Sequence, residues 1–137
     1  MTVSLDTSGL YAVFDRDDMN HARARTAWED WLREGASLLT NNYVLVETAA
    51  LLQHRIGLAA VRALHEEVMP LLQVDWVSKE RHQAGMEAVF TAGRKKLSLV
   101  DCVSFQTMRN RGVRTAFSFD AHFREQGFAI KPGSATH

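Results

Sequence analysis

The sequence predicts an α/β chain built around a mostly parallel sheet, and three observations lead there. Short β-branched or apolar runs alternate with longer segments whose apolar residues recur at helical spacing. Asn, Ser and Gly stand where those segments start and stop. Only Pro70 and Pro132 interrupt the 137 residues, and no repeat, low-complexity stretch or linker divides them, so one domain over residues 1–137 is expected. Strands that alternate with helices are joined by crossovers, the connection a parallel sheet uses.

Thr2 to Leu5 predicts the first strand, and Thr7 to Phe14 a short helix. DRDDMNH reads as a turn with Asp17 or Asp18 as N-cap. From Met19 to Arg33, the residues Ala22, Ala27, Trp28, Trp31 and Leu32 share helical spacing until Gly35 stops the run. Ser37 to Thr40 predicts a second strand, and Asn41-Asn42 caps a helix from Tyr43 to about Arg55. Gly57 breaks that helix, and another continues to about Val68, where Pro70 ends it. Leu72 to Val77 predicts a third strand, followed by a helix over Lys79 to Arg94. Ser98 to Arg111 predicts a helix stopped by Gly112. Arg114 to Phe119 follows as a fourth strand, Ala121 to Gln126 as a short helix and Phe128 to Ile130 as a last strand.

Composition narrows the class. A hydrophobic fraction of 46% and a charged fraction of 23% are those of a globular chain, not a disordered one. A net charge of zero excludes nucleic-acid binding driven by charge over the whole surface, so phosphate contacts must come from local clusters. GRKKLS, with Arg94, Lys95 and Lys96, is the candidate cluster, and it leads into the run around Asp101. The lone Cys102 forms no internal disulfide, fits a reducing cytoplasm, and reads as a small buried hydrophobe. No signal peptide opens the chain and no apolar run approaches the roughly 20 residues of a membrane span, so a cytoplasmic protein without membrane contact is expected.

Four acids sit in apolar runs: Asp6 in VSLDTSGL, Glu47 in VLVETAAL, Asp101 in LSLVDCVSF and Asp120 in FSFDAHF. Ligands of open parallel α/β sheets bind beyond the carboxyl ends of the strands, where Asp6 and Asp120 fall. Asp101, three residues past Ser98, and Glu47, about one turn past Asn42, can face the same crevice from helix starts. Each has a local alternative: Asp6 and Asp120 as N-caps, Ser98 with Asp101 as a capping box, Glu47 on a solvent face. Asp75 in LLQVDWV is set aside, because alternation with Leu72, Val74 and Trp76 leaves it on the exposed face of a strand. Carboxylates that converge raise one another's pKa unless a cation neutralises them. Oxygen ligands favour a hard ion such as Mg²⁺ or Mn²⁺, which activates water for attack on a phosphodiester. Zinc is disfavoured, since His21, His54, His65, His82, His122 and His137 show no paired ligand spacing. His122 alone lies near the crevice and reads as a surface histidine of a short helix.

DTSGLYAVFD, VLVETAALL, LSLVDCVSF and RTAFSFDAHF, with DDMNHARA leading into the second helix, occur in family order and spacing. Together they resemble the PIN-domain ribonucleases, especially the VapC-type toxins of bacterial toxin–antitoxin pairs, over nearly the whole chain. The resemblance implies a three-layer α/β/α sandwich with a central, mostly parallel sheet, and an endoribonuclease dependent on Mg²⁺ or Mn²⁺. It makes Asp6, Glu47, Asp101 and Asp120 the catalytic acids. Asp6 and Asp101 are then metal ligands, Asp120 binds metal directly or through water, and Glu47 orients the attacking water or a second ion. Ser8 and Ser118 support the site by hydrogen bonds, Ser118 standing where the family more often has threonine. A cognate antitoxin, an RNA substrate and a homodimer are implied as partners. Trp28 and Trp31, three apart on one helix, are read as core by default and as interface residues otherwise. A housekeeping RNA-processing nuclease and a non-catalytic RNA- or protein-binding module are the alternatives. A phosphatase with Asp6 as nucleophile is set aside, because the second aspartate it needs is replaced by Ser8.

Overall fold

The computed structural model describes residues 1–133. In chain order the elements are β1 (Thr2–Leu5), α1 (Thr7–Phe14), α2 (His21–Glu34), β2 (Ser37–Asn41), α3 (Asn42–Arg55) and α4 (Leu58–Ala63). There follow β3 (Gln73–Asp75), α5 (Lys79–Ala92), α6 (Leu99–Arg111), β4 (Thr115–Phe117), α7 (Ala121–Glu125) and β5 (Ala129–Lys131). The five strands form one sheet in the order β3-β2-β1-β4-β5, with every neighbouring pair parallel. Adjacent strand residues point to opposite faces, and the core divides accordingly. Leu38 and Phe117 belong to a cluster with Leu10, Trp28, Trp31 and Leu52, while their neighbours Leu39 and Ala116 join Phe105, Met108, Phe123 and Phe128. Helices α1, α2 and α3 thus cover one face and α6 and α7 the other, giving the α/β/α sandwich.

Both tryptophans of α2 are core: Trp28 and Trp31 are buried, and Trp31 packs edge-to-face with Phe117, ring centroids 5.0 Å apart. Cys102 is buried in the opposite cluster. Among the described residues no helix is long and apolar enough to cross a membrane.

Several boundaries differ from the expected ones, each for a local reason. The cap of α2 falls at Asn20, not at Asp17 or Asp18, because Asp15 and Asp18 bind the backbone N–H groups of Asp17 and Asn20 and close the turn ahead of the helix. β2 runs one residue further, and Asn41 both ends it and caps α3, its side chain accepting from the Val44 N–H at 3.0 Å. The segment after α4 loosens and then tightens, as a π-helical turn over Leu64–Val68 and a 3₁₀ turn over Met69–Leu71 that holds Pro70. Proline has no N–H to offer an α-helical ladder there. β3 shrinks to three residues at the sheet edge, where Trp76 is already exposed. β4 likewise stops at Phe117, because Ser118 and its successors turn their polar groups to the site described below.

One close approach fixes the start of α1 against β4. A Cβ on Gly9 would lie 2.4 Å from the Phe117 carbonyl oxygen. Gly9→Ala is therefore expected to destabilise the fold by at least the roughly 1–3 kcal/mol typical of core overpacking, read from chemical denaturation midpoints.

Candidate active site

The site starts from strand register. Leu5 pairs with Phe117, and the Asp6 N–H donates to the Phe117 carbonyl at 3.1 Å. The next residues, Asp6 and Ser118, therefore meet side by side at the carboxyl ends of β1 and β4. The Ser118 hydroxyl donates to Asp6 Oδ2 at 2.9 Å, and the Ser8 hydroxyl donates to the same oxygen at 2.9 Å. The two serines are fixed in turn: Ser8 accepts from the Phe119 N–H and Ser118 from the Asp120 N–H, each at 2.9 Å. Asp6 occupies the N-cap position of α1, yet its side chain makes no capping bond. Capping does not explain this carboxylate.

Asp101 and Asp120 do cap. Asp101 Oδ2 accepts from the Ser98 N–H at 3.1 Å while the Ser98 hydroxyl accepts from the Asp101 N–H, completing the capping box. Asp120 Oδ1 accepts from the His122 N–H at 2.9 Å at the start of α7. Neither cap takes the side chain away from the crevice. Asp6, Glu47, Asp101 and Asp120 all line one cavity of about 360 Å³. Glu47 reaches it along one face of α3, with Leu51 and Arg55 following at i+4 and i+8 on the same lining.

Charge is under stress in this cavity. Burial, opposed by the two serine bonds and reinforced by Asp101 and Asp120, raises the Asp6 pKa to about 6. Burial also raises Asp101, with the Ser98 backbone bond working against it and Asp120 adding to it. Buried carboxylates that repel one another are stabilised by a divalent cation. Among the described residues, the group of side chains able to hold an ion together is Asp101, Asp120 and His122, whose ligand atoms lie within 4.8 Å of one another. An oxygen-rich donor set with one imidazole fits such an ion.

His122 is thus not merely a surface histidine. Its Nε2 lies 3.8 Å from Asp120 Oδ1, and its ring is only 16% exposed. The D-x-H spacing carries no such signal, since residues two apart do not share a helix face. His137 lies outside the described residues. The basic triplet divides. All three are exposed: Arg94 donates to Glu125 at 3.0 Å and lies 3.5 Å from His122 Nδ1, while Lys96 lines the acid cavity. Asp75 is not on an open strand face but holds Arg81 at 2.5 Å and Arg111 at 3.5 Å, away from the cavity.

A carboxylate-lined cleft at the carboxyl edge of a parallel sheet, with donors for a divalent ion, fits a hydrolytic centre of the nuclease type. Residues 3–129 match the PIN domain, and the chain belongs to the PIN-domain family. It is 31% identical over 132 residues to the 23S rRNA-specific endonuclease VapC20 of Mycobacterium tuberculosis, covering 95% of this chain and 98% of that protein. The crystal structure of that VapC20, a sarcin-ricin loop cleaving toxin, superposes with a TM-score of 0.82 at 30% identity, over 93% of this chain and 96% of the other. Neisseria gonorrhoeae FitAcB shares the fold at a TM-score of 0.66 and 14% identity, over 95% and 96% of the two chains.

Proposed function

We propose that this chain is an Mg²⁺- or Mn²⁺-dependent endoribonuclease, the toxin of a toxin–antitoxin pair that stops translation by cutting RNA. The observation that carries the reading is the gathering of Asp6, Glu47, Asp101 and Asp120 around one cavity. Asp6 and Asp101 would hold the ion, together with Asp120 and with His122 beside them. Bound there, it would offset the charge of the acids and supply an activated water. Ser8 and Ser118 keep Asp6 in one orientation, and Ser98 does the same for Asp101. Glu47, on the α3 wall, orients the attacking water.

VapC20 acts on 23S rRNA and cleaves the sarcin-ricin loop, so ribosomal RNA containing that loop is the first substrate to try. The cognate antitoxin would occupy the acid cavity and block it, and the toxin would act as a homodimer in the cytoplasm, where its RNA lies. The test is cleavage of 23S rRNA by purified protein with Mg²⁺ or Mn²⁺, with EDTA, and by Asp101→Asn. Cleavage should vanish in EDTA and fall in the variant by more than the roughly 10–100-fold that loss of a supporting partner costs. Cleavage that survives both changes overturns the reading.

A further inference from the structure

The acid cavity is not lined by acids alone. Arg55, at the end of α3, and Lys96, in the segment entering α6, line it together with the four carboxylates and Asp18. An RNA chain approaching these acids meets repulsion, which cations beside them offset. Both cations are exposed, and each stands on an anchored segment. The Arg55 guanidinium lies 5.3 Å from the centre of the Tyr11 ring, and Tyr11 is buried. The Tyr11 hydroxyl binds Asp15, whose pKa is lowered by that bond, by the Asp17 N–H and further by Arg55. Lys96 is anchored by its neighbour Leu97, which is buried in the core and whose N–H bonds to the Arg94 carbonyl at 3.1 Å. Arg94, by contrast, is committed to Glu125. Among the described residues, neither Arg55 nor Lys96 takes part in a salt bridge.

We propose that Arg55 and Lys96 form a phosphate clamp across the acid cavity, each gripping an RNA phosphate beside the one positioned at the carboxylates. Arg55 and Glu47 lie two helical turns apart on one face of α3, so the strand is guided along that helix from its C-terminal end towards the acids. Of the basic triplet, this gives the RNA-binding role to Lys96 and adds a residue from a helix that no basic motif marks. The proposal rests on the nuclease reading above for its ligand, and the experiment separates the two.

Wild-type protein, Arg55→Gln, Lys96→Gln and the control Arg33→Gln on α2 are compared in binding a labelled single-stranded RNA oligonucleotide. Fluorescence anisotropy is followed over a range of KCl in Ca²⁺, with intact RNA verified on a gel. Each clamp variant should weaken binding about 3–10-fold and reduce the slope of log affinity against log salt by about 0.7, the value for one lost single-strand phosphate contact. In Mn²⁺, cleavage should show a raised KM with kcat within about twofold of wild type, because the clamp acts before the chemistry. The rise in Tm on adding Mn²⁺ should match wild type in all variants. Slopes equal to wild type in both clamp variants overturn the proposal, as does a changed Mn²⁺ response with unchanged RNA slopes, which would make these cations mere screens for the acids. Wild-type protein that binds RNA with the stated slopes but never cuts it sinks the nuclease reading and keeps the clamp. Cleavage by wild type with indistinguishable variants sinks the clamp alone, and protein that neither binds nor cuts sinks both.

Discussion

Asp6→Asn is expected to abolish metal-dependent RNA cleavage and, at neutral pH, to make the metal-free protein more stable than its parent. The two effects have one cause. Asp6 is buried in the floor of the site, and burial lifts its pKa from 3.8 to about 6. Between those values the folded chain binds a proton that the unfolded chain has released, so stability falls as pH rises through this window. Above pH 6 the full cost of the buried charge is present, on the order of 1–3 kcal/mol once the burial of an amide in its place is counted. Asparagine keeps the shape and removes the charge, and the Ser8 and Ser118 hydroxyls can rotate to serve its amide. Thermal unfolding in EDTA should show the variant melting several degrees higher at pH 7.5, with the advantage gone near pH 4. A variant that melts no higher than the parent at pH 7.5 would show that this carboxylate sits in the fold at no cost, and the case for a cation partner would lose its footing.

The same physics sets what the letters alone reveal. The core of the fold is legible wherever a local pattern decides it: β1 and α1 fall on the expected residues, and Gly35 and Gly112 stop α2 and α6 in left-handed backbone conformation. β3 is not, because its length depends on how far the edge pairs with Leu39, Thr40 and Asn41, a contact between residues more than thirty positions apart. The α4 region also escapes, since a π-helical turn leaves no mark in apolar spacing. At the site, the acids stand out as charges in apolar runs, and the register of β1 against β4 brings Asp6 to Ser118. Whether a cap and a site residue are alternatives is a matter of geometry that spacing does not settle; Asp101 and Asp120 cap their helices and line the cavity at once. Arg55 is invisible for a different reason. A single arginine ending a helix carries no motif, and only the packing of α3 beside the acids puts it in the cavity.

Metal binding should itself be pH-linked, and here the direction is opposite to that of the metal-free fold. A divalent ion among the acids favours their charged forms, so uptake expels the protons that burial retains. At pH 6 Asp6 is half protonated, and its share alone should be about half a proton released per ion bound, with Asp101, also raised, adding to it. At pH 8 Asp6 is already ionised and its share of the release should approach zero. Titration calorimetry with Mn²⁺ in two buffers of different ionisation heat measures the number directly, and affinity should weaken steadily as pH drops below 6. In Asp6→Asn the Asp6 share must disappear. Release at pH 6 that is the same in parent and variant would mean the ion never feels this carboxylate, which would remove Asp6 from the metal centre and leave Asp101, Asp120 and His122 to hold the ion without it.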